Sequence, residues 1–192
     1  MKFRVFAILI AFAAAPFAAF SADEENPYKR AKVGDSATYK ITLKIAQINI
    51  DGTLTQTIVS KDDQKVKVKT TGTVGGGDIA PQEQEIDLTK PFDPTKVPGN
   101  PAGANVKVEK TKDGTEKVKA GTKEYECKWE SFKLQASAMG MDFESTIKVW
   151  QSKNLAIPMV KMEMSGEVSG QRIDILLELM DAASTPPVPP KK

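Results

Sequence analysis

The chain has 192 residues, 27 Lys and Arg against 25 Asp and Glu, one cysteine and no histidine. That length suits one domain plus a leader, and the even charge gives no electrostatic reason for nucleic acid or an anionic membrane as partner. A lone cysteine excludes an intrachain disulfide, and the lack of His removes the Ser-His-Asp and Cys-His triads and nearly all ordinary zinc sites.

Residues 1–21 read as a signal peptide. Lys2 and Arg4 precede the apolar run Val5 to Phe20, and Ala19-Phe20-Ser21 sets small residues before Ala22. A membrane-spanning helix is the competing reading, but the run is shorter than the ~20 residues a span needs. Asp23, Glu24 and Glu25 follow at once. Export to the periplasm or beyond, with cleavage near Ser21/Ala22, is therefore expected. No cysteine stands beside the cleavage site, so a lipid anchor is not expected. Losing Lys2 and Arg4 takes the net charge from +2 to zero. No other apolar run approaches spanning length, so the mature chain is predicted to lack a transmembrane span.

Residues 22–32 read as a flexible leader in which Pro27-Tyr28 can tuck against the domain. After a turn at Val33-Gly34-Asp35, Tyr39, Ile41, Leu43 and Ile45 share one strand face, opposite Thr38, Lys40, Thr42 and Lys44. Ile48 and Ile50 fall out of step, which predicts a bulge near Ala46 or Gln47. Asp51-Gly52 predicts a two-residue hairpin leading into Thr53 to Ser60. Lys61 to Gln64 is the next turn and Lys65 to Val74 the next strand. Gly75-Gly76-Gly77 lacks the helix and the Lys-Ser/Thr of a phosphate-cradling loop, so it reads as a flexible loop. A short strand spans Gln84 to Leu88. Residues 91–105, with four prolines, form the longest stretch without a period: a flap over a cavity or a surface excursion.

In the second half, Val106 and Val108 open a strand, Asp113-Gly114 predicts another tight hairpin, and Ala120 to Lys123 another turn. Tyr125, Cys127 and Trp129 share a face, whereas Phe132 and Leu134 have the other parity, predicting a second bulge or bend. Cys127 reads as a buried inert thiol, since a nucleophilic cysteine needs a base. Lys123-Glu124-Tyr125-Glu126 and Lys128-Trp129-Glu130 read as the solvated face of an antiparallel sheet, not as a catalytic carboxylate pair. Two strands joined by a loop follow over Asp142 to Met164. Phe143, Ser145, Ile147 and Val149 alternate with Glu144, Thr146, Lys148 and Trp150; Val160, Met162 and Met164 alternate with Met159, Lys161 and Glu163. Gln171 to Met180 fits one face of a helix or of a strand equally well, and the strands before it favour a closing strand. Residues 183–192 read as a Pro-rich disordered tail. The fold class is mainly β: a single curved antiparallel sheet, a half-barrel of roughly ten strands over residues 33–182, with little helix.

Two short motifs carry a resemblance: Val33-Gly34-Asp35-x-x-x-Tyr39 opening a strand, and Val149-Trp150-Gln151-Ser152-Lys153 leading to Pro158-Met159-Val160-Lys161-Met162-Glu163. On these the chain resembles the lipoprotein-localisation (LolA/LolB-like) half-barrel superfamily of exported bacterial proteins. The resemblance implies a strongly curved sheet whose concave face holds apolar ligands such as acyl chains. LolA-type carriers plug the barrel with helices; here that role is left to the Pro-rich middle loop or the segment around Ala183.

The expected function is that of an exported, non-enzymatic β-domain binding a lipid-like or other apolar ligand in the concave face. Phe143, Ile147, Val149, Trp150, Met162 and Met164 are the candidate binding residues. The alternative is a structural or protein-interaction domain of the cell envelope with a self-filled core; a carboxylate-dependent hydrolase ranks last. Val149 and Trp150 point to opposite faces, so which row is concave stays open. Neither a cofactor nor a catalytic residue is predicted. Met139-x-Met141 and Met162-x-Met164 offer soft thioethers that suit Cu(I). Without histidine, filling an irregular interior is the reading preferred for them, and no metal site is assigned.

Overall fold

The computed structural model describes residues 26–90, 105–138, 141–168 and 170–184; side chains at 105–106, 136–138, 141–143 and 168 are outside that description. Residues 1–25, which include the segment expected to be a signal peptide, residues 91–104 of the Pro-rich loop and the tail from 185 also lie outside the described residues.

The described residues fold into nine antiparallel strands: β1 (Ser36–Ile45), β2 (Ile48–Lys61), β3 (Lys65–Val74), β4 (Gly77–Asp87), β5 (Asn105–Ala120), β6 (Lys123–Ala138), β7 (Met141–Gln151), β8 (Met159–Val168) and β9 (Gln171–Ala183). They form one curled, open sheet in the order β4-β3-β2-β1-β9-β8-β7-β6-β5. Every strand but the edge pair neighbours its sequence partners, and β9 inserts beside β1. The ambiguous Gln171 to Met180 stretch is thus a central strand. Its burial alternates strictly through Ile173, Ile175, Leu177 and Leu179, the strand period and not the helical one.

Cross-strand register builds the core as straight rows. Ile41, Leu177, Met162 and Val149 lie side by side on four neighbouring strands, and so do Leu43, Ile175, Met164 and Ile147, which continues to Phe132. All of these are buried. Each such side chain removed from water contributes about 1.5–3 kcal/mol before entropy is counted. The opposite face carries Lys–Glu pairs such as Lys65–Glu85 and Lys133–Glu144, each at 2.6 Å. Exposed pairs of this kind contribute little individually.

Several predicted turns lie elsewhere. The first hairpin turns at Ala46–Gln47, where Ile45 pairs with Ile48 and Ala46 takes a positive φ of 52°. Residues three apart across a two-residue turn share a face, which is why Ile48 falls out of step without any bulge. Asp51-Gly52 sits inside β2, and Asp113-Gly114 inside β5, so the two segments expected around the latter are one strand and the count is nine. Both glycines serve close approach and not a turn. A Cβ on Gly52 would stand 2.0 Å from the Thr73 carbonyl oxygen; on Gly114 it would stand 2.9 Å from the Trp129 indole. Gly75 and Gly76 are a tight turn and not a loose loop: Val74 pairs with Gly77, and both glycines have positive φ.

β6 pairs with β7 without interruption from Lys128 to Ala138, so the parity change at Trp129 marks a change of face and not a bend in β6. The irregularity lies in β5, between Lys110 and Lys112. The stretch expected to be a flexible leader contains a 3₁₀ helix, Pro27–Arg30, in which Tyr28 is fully buried. Ala183 belongs to β9 and does not form a lid.

Candidate functional site

Four of the six predicted binding residues meet. Ile147 and Val149 on β7 face Met164 and Met162 on β8, pair by pair. Their exposure is at most 2%, so other side chains already occupy the space in front of them. Strand alternation puts them together, and the antiparallel β7–β8 register aligns them. Phe143 lies on the same parity, opposite Ala136 and Val168, and its side chain is outside the described residues. Ser145, next in the row, is buried and its hydroxyl has no hydrogen-bond partner among the described residues. Met162 and Met164 are core residues.

Trp150 stands apart, on the outer face. There Trp129 pairs with it across β6–β7 and Lys161 pairs with it across β7–β8. The Lys148 ammonium sits 4.0 Å from the Trp129 ring centroid and 4.2 Å from that of Trp150, and the Lys161 ammonium lies 5.1 Å from the latter. Cations over indole faces are attracted by the ring quadrupole. Glu116 of β5 accepts the Trp150 indole N–H and, at 3.2 Å, the Lys148 ammonium. Those two bonds, the indole's first, hold its carboxyl below the ordinary range. β5 also comes against β8 and β9, so the distal β5–β6 hairpin folds back over the outer face. Cys127 is buried on this side, and burial pushes its thiol up to about 11, with the Glu116 charge adding to the rise. That is the reverse of the lowered pKa a reactive thiol needs.

Glu130, expected on the solvated face, is instead buried opposite Val149. Lys110 pairs with it at 2.6 Å and bridges to Asp113 at 3.4 Å, with Lys128 3.9 Å away. A carboxylate tied to a lysine in this way is an ion-paired structural group, not one of two carboxyls facing a shared cleft.

The sequence reading missed a polar cavity just beyond the Gln151 end of β7. It measures about 370 Å³ and is lined by Arg30, Lys32, Asp35, Lys153, Asn154, Leu155, Ala156 and Ser184. Asp35 and Lys153 come from the two motifs that carry the LolA/LolB resemblance. Their convergence depends on β9 pairing with both β1 and β8, a non-local fact that no local pattern encodes.

The fold has solved counterparts. A protein from Bacteroides fragilis, described as exported and having a YmcC-like fold, aligns over 80% of this chain and 97% of its own, with 9% identity and a TM-score of 0.52. A lipoprotein from Parabacteroides distasonis aligns over 79% and 96%, with 8% identity and a TM-score of 0.49. At such identities the likeness reaches the fold alone. No protein-family model and no curated protein matches the sequence.

Proposed function

We propose that the protein is an exported, non-enzymatic β-domain of the cell envelope whose interior is filled by its own side chains and which acts through its surface. The observation that carries this reading is the near-complete burial of Ile147, Val149, Met162 and Met164 against the rows of β9 and β1. Export is supported by the pattern of residues 1–21 and by the likeness in fold to a Bacteroides fragilis protein described as exported. The curled sheet and the two motifs also support kinship with the LolA/LolB-like half-barrels. The absence of histidine, the high pKa of Cys127 and the ion-paired state of Glu130 argue against catalysis by the usual nucleophiles and bases.

A second reading, an apolar ligand within the curl, is favoured by one observation. The Ser145 hydroxyl is buried and unpartnered beside Ile147, and a buried polar group without a partner is unfavourable by about 1–3 kcal/mol. A ligand's polar head would relieve it. Native mass spectrometry with lipid extraction, on protein purified from its own cells, separates the two. The self-filled reading expects no co-purified lipid and no uptake of a fluorescent fatty acid; stoichiometric lipid would replace it with the second.

A further inference from the structure

We infer that the cavity between the 3₁₀ helix and the β7–β8 loop is a binding site for a small phosphate-bearing ligand. This goes beyond the proposed function and stands whether or not the sheet's interior holds a ligand. Two held walls form the site. On the first, the Asn26 side chain accepts the Tyr28 backbone N–H at 3.1 Å, and the buried Tyr28 ring anchors the turn. The Lys61 ammonium donates to the Lys29 and Ala31 carbonyls at 2.5 and 2.8 Å. Arg30 and Lys32 project from this wall.

The second wall is the loop from Ser152 to Pro158. Ser152 N–H donates to the Pro158 carbonyl at 2.9 Å, and the Ser152 hydroxyl accepts the Asn154 N–H at 3.4 Å. Lys153 projects from it, and Leu155 and Ala156 add an apolar flank. Arg30 spans the gap, donating from one Nη to the Lys153 carbonyl at 3.3 Å, which orients the guanidinium and leaves further N–H groups for a ligand.

Charge decides the ligand class. Elsewhere on the sheet several lysines face carboxylates across strands, as in Lys65–Glu85 and Lys117–Glu124. Among the described residues Arg30, Lys32 and Lys153 have no carboxylate within ion-pair distance. The single acid of the cavity, Asp35, is buried, and its Oδ2 accepts the Lys32 backbone N–H at 2.8 Å. Three cations against one carboxylate leave two positive charges, which match a phosphate monoester carrying about −1.5 to −2 at neutral pH. A carboxylate would match only one of them. An arginine fork with lysine point charges suits phosphate oxygens, and the volume falls at the small end of ligand sites.

The test is an amide-resolved NMR titration of the full mature chain with glycerol 3-phosphate at low salt, with glycerol as the uncharged control. Saturable shifts confined to Arg30, Lys32 and residues 152–156 are expected, and they should weaken with added salt. The Arg30→Gln/Lys153→Gln double variant should weaken binding at least about tenfold. Its thermal unfolding should be unchanged, because both side chains lie at the surface, while Lys44→Gln, at the far end of β1, should bind as wild type. Shifts that never saturate, spread over lysines of the whole sheet, or persist in the double variant would overturn the site. Sedimentation with phosphatidylcholine vesicles, with and without phosphatidate, identifies the source. Phosphatidate-dependent pelleting that the double variant loses assigns a lipid headgroup; saturable glycerol 3-phosphate binding without pelleting assigns a soluble ester.

Discussion

Trp150 donates its indole N–H to the Glu116 carboxylate, tying the outer face of β7 to the edge strand β5. The bond crosses two strand positions and holds the folded-back end of the β5–β6 hairpin. Because the folded-state pKa of Glu116 is lowered from 4.5, its contribution is fully present above that value and is lost as pH falls through the lower folded one. Tryptophan fluorescence should therefore show an acid transition below the ordinary glutamate range. Glu116→Gln should remove that step and leave any transition from other carboxylates in place. An unchanged titration in Glu116→Gln would show that the hairpin is held by something else.

The two Asp-Gly pairs supply a comparison within one protein. On Gly52 a new Cβ meets the Thr73 carbonyl at 2.0 Å and the Val74 Cα at 2.9 Å, so backbone must move. On Gly114 the nearest atoms it meets are those of the Trp129 indole, at 2.9–3.0 Å, and a side chain can shift. Gly52→Ala should therefore destabilise by about 1–3 kcal/mol or more, and Gly114→Ala by less. Urea unfolding of both variants checks the order. Gly114→Ala should in addition change the Trp129 emission, since the ring must leave the glycine it covers.

Much of this fold is legible locally. Alternation in Tyr39–Ile45, in Ser145–Val149 and in Met162–Met164 marks core-facing positions, because a strand repeats every two residues whatever its neighbours. What local pattern cannot carry is register. Asp51-Gly52 and Asp113-Gly114 have the composition of a type I′ turn, yet the chain turns at Ala46–Gln47 and at Gly121–Thr122. Moving the turn to either pair would break the β1–β2 register that sets Tyr39 beside Leu54 and the β5–β6 register that sets Gly114 beside Trp129. The Trp129–Trp150 pairing likewise follows from the β6–β7 register, and the cationic cavity from the β1–β9–β8 order. Alternation places Val149 and Trp150 on opposite faces, but which of the two rows is the inner one follows only from the register of β7 with β6 and β8.

Met162 tests whether the interior is self-filled. It is fully buried between Val149 and Leu177, its neighbours in register. Met162→Ala removes three heavy atoms from a close-packed row and should lower stability by about 2–5 kcal/mol. Urea unfolding should show a lower midpoint with an unchanged slope. A loss within about 0.5 kcal/mol, the usual range for surface positions, would mean that this face is loosely filled and would favour the ligand-bearing reading.

Cys127 reports on the same hairpin from the inside. Its thiol is buried, lies 3.5 Å from the Tyr125 carbonyl, and has its pKa pushed from 9.0 up to about 11. The thiolate is the species that iodoacetamide alkylates. Near neutral pH the raised pKa alone lowers that fraction about a hundredfold relative to the unfolded chain. Native alkylation should be correspondingly slow, should climb with pH toward that value, and should jump on unfolding. Glu116→Gln acts twice: it removes a charge that raises the thiol pKa and loosens the tie to Trp150. Labelling should therefore accelerate in that variant by more than its loss of global stability accounts for. A rate equal to wild type would show that Cys127 is shielded independently of the hairpin's attachment.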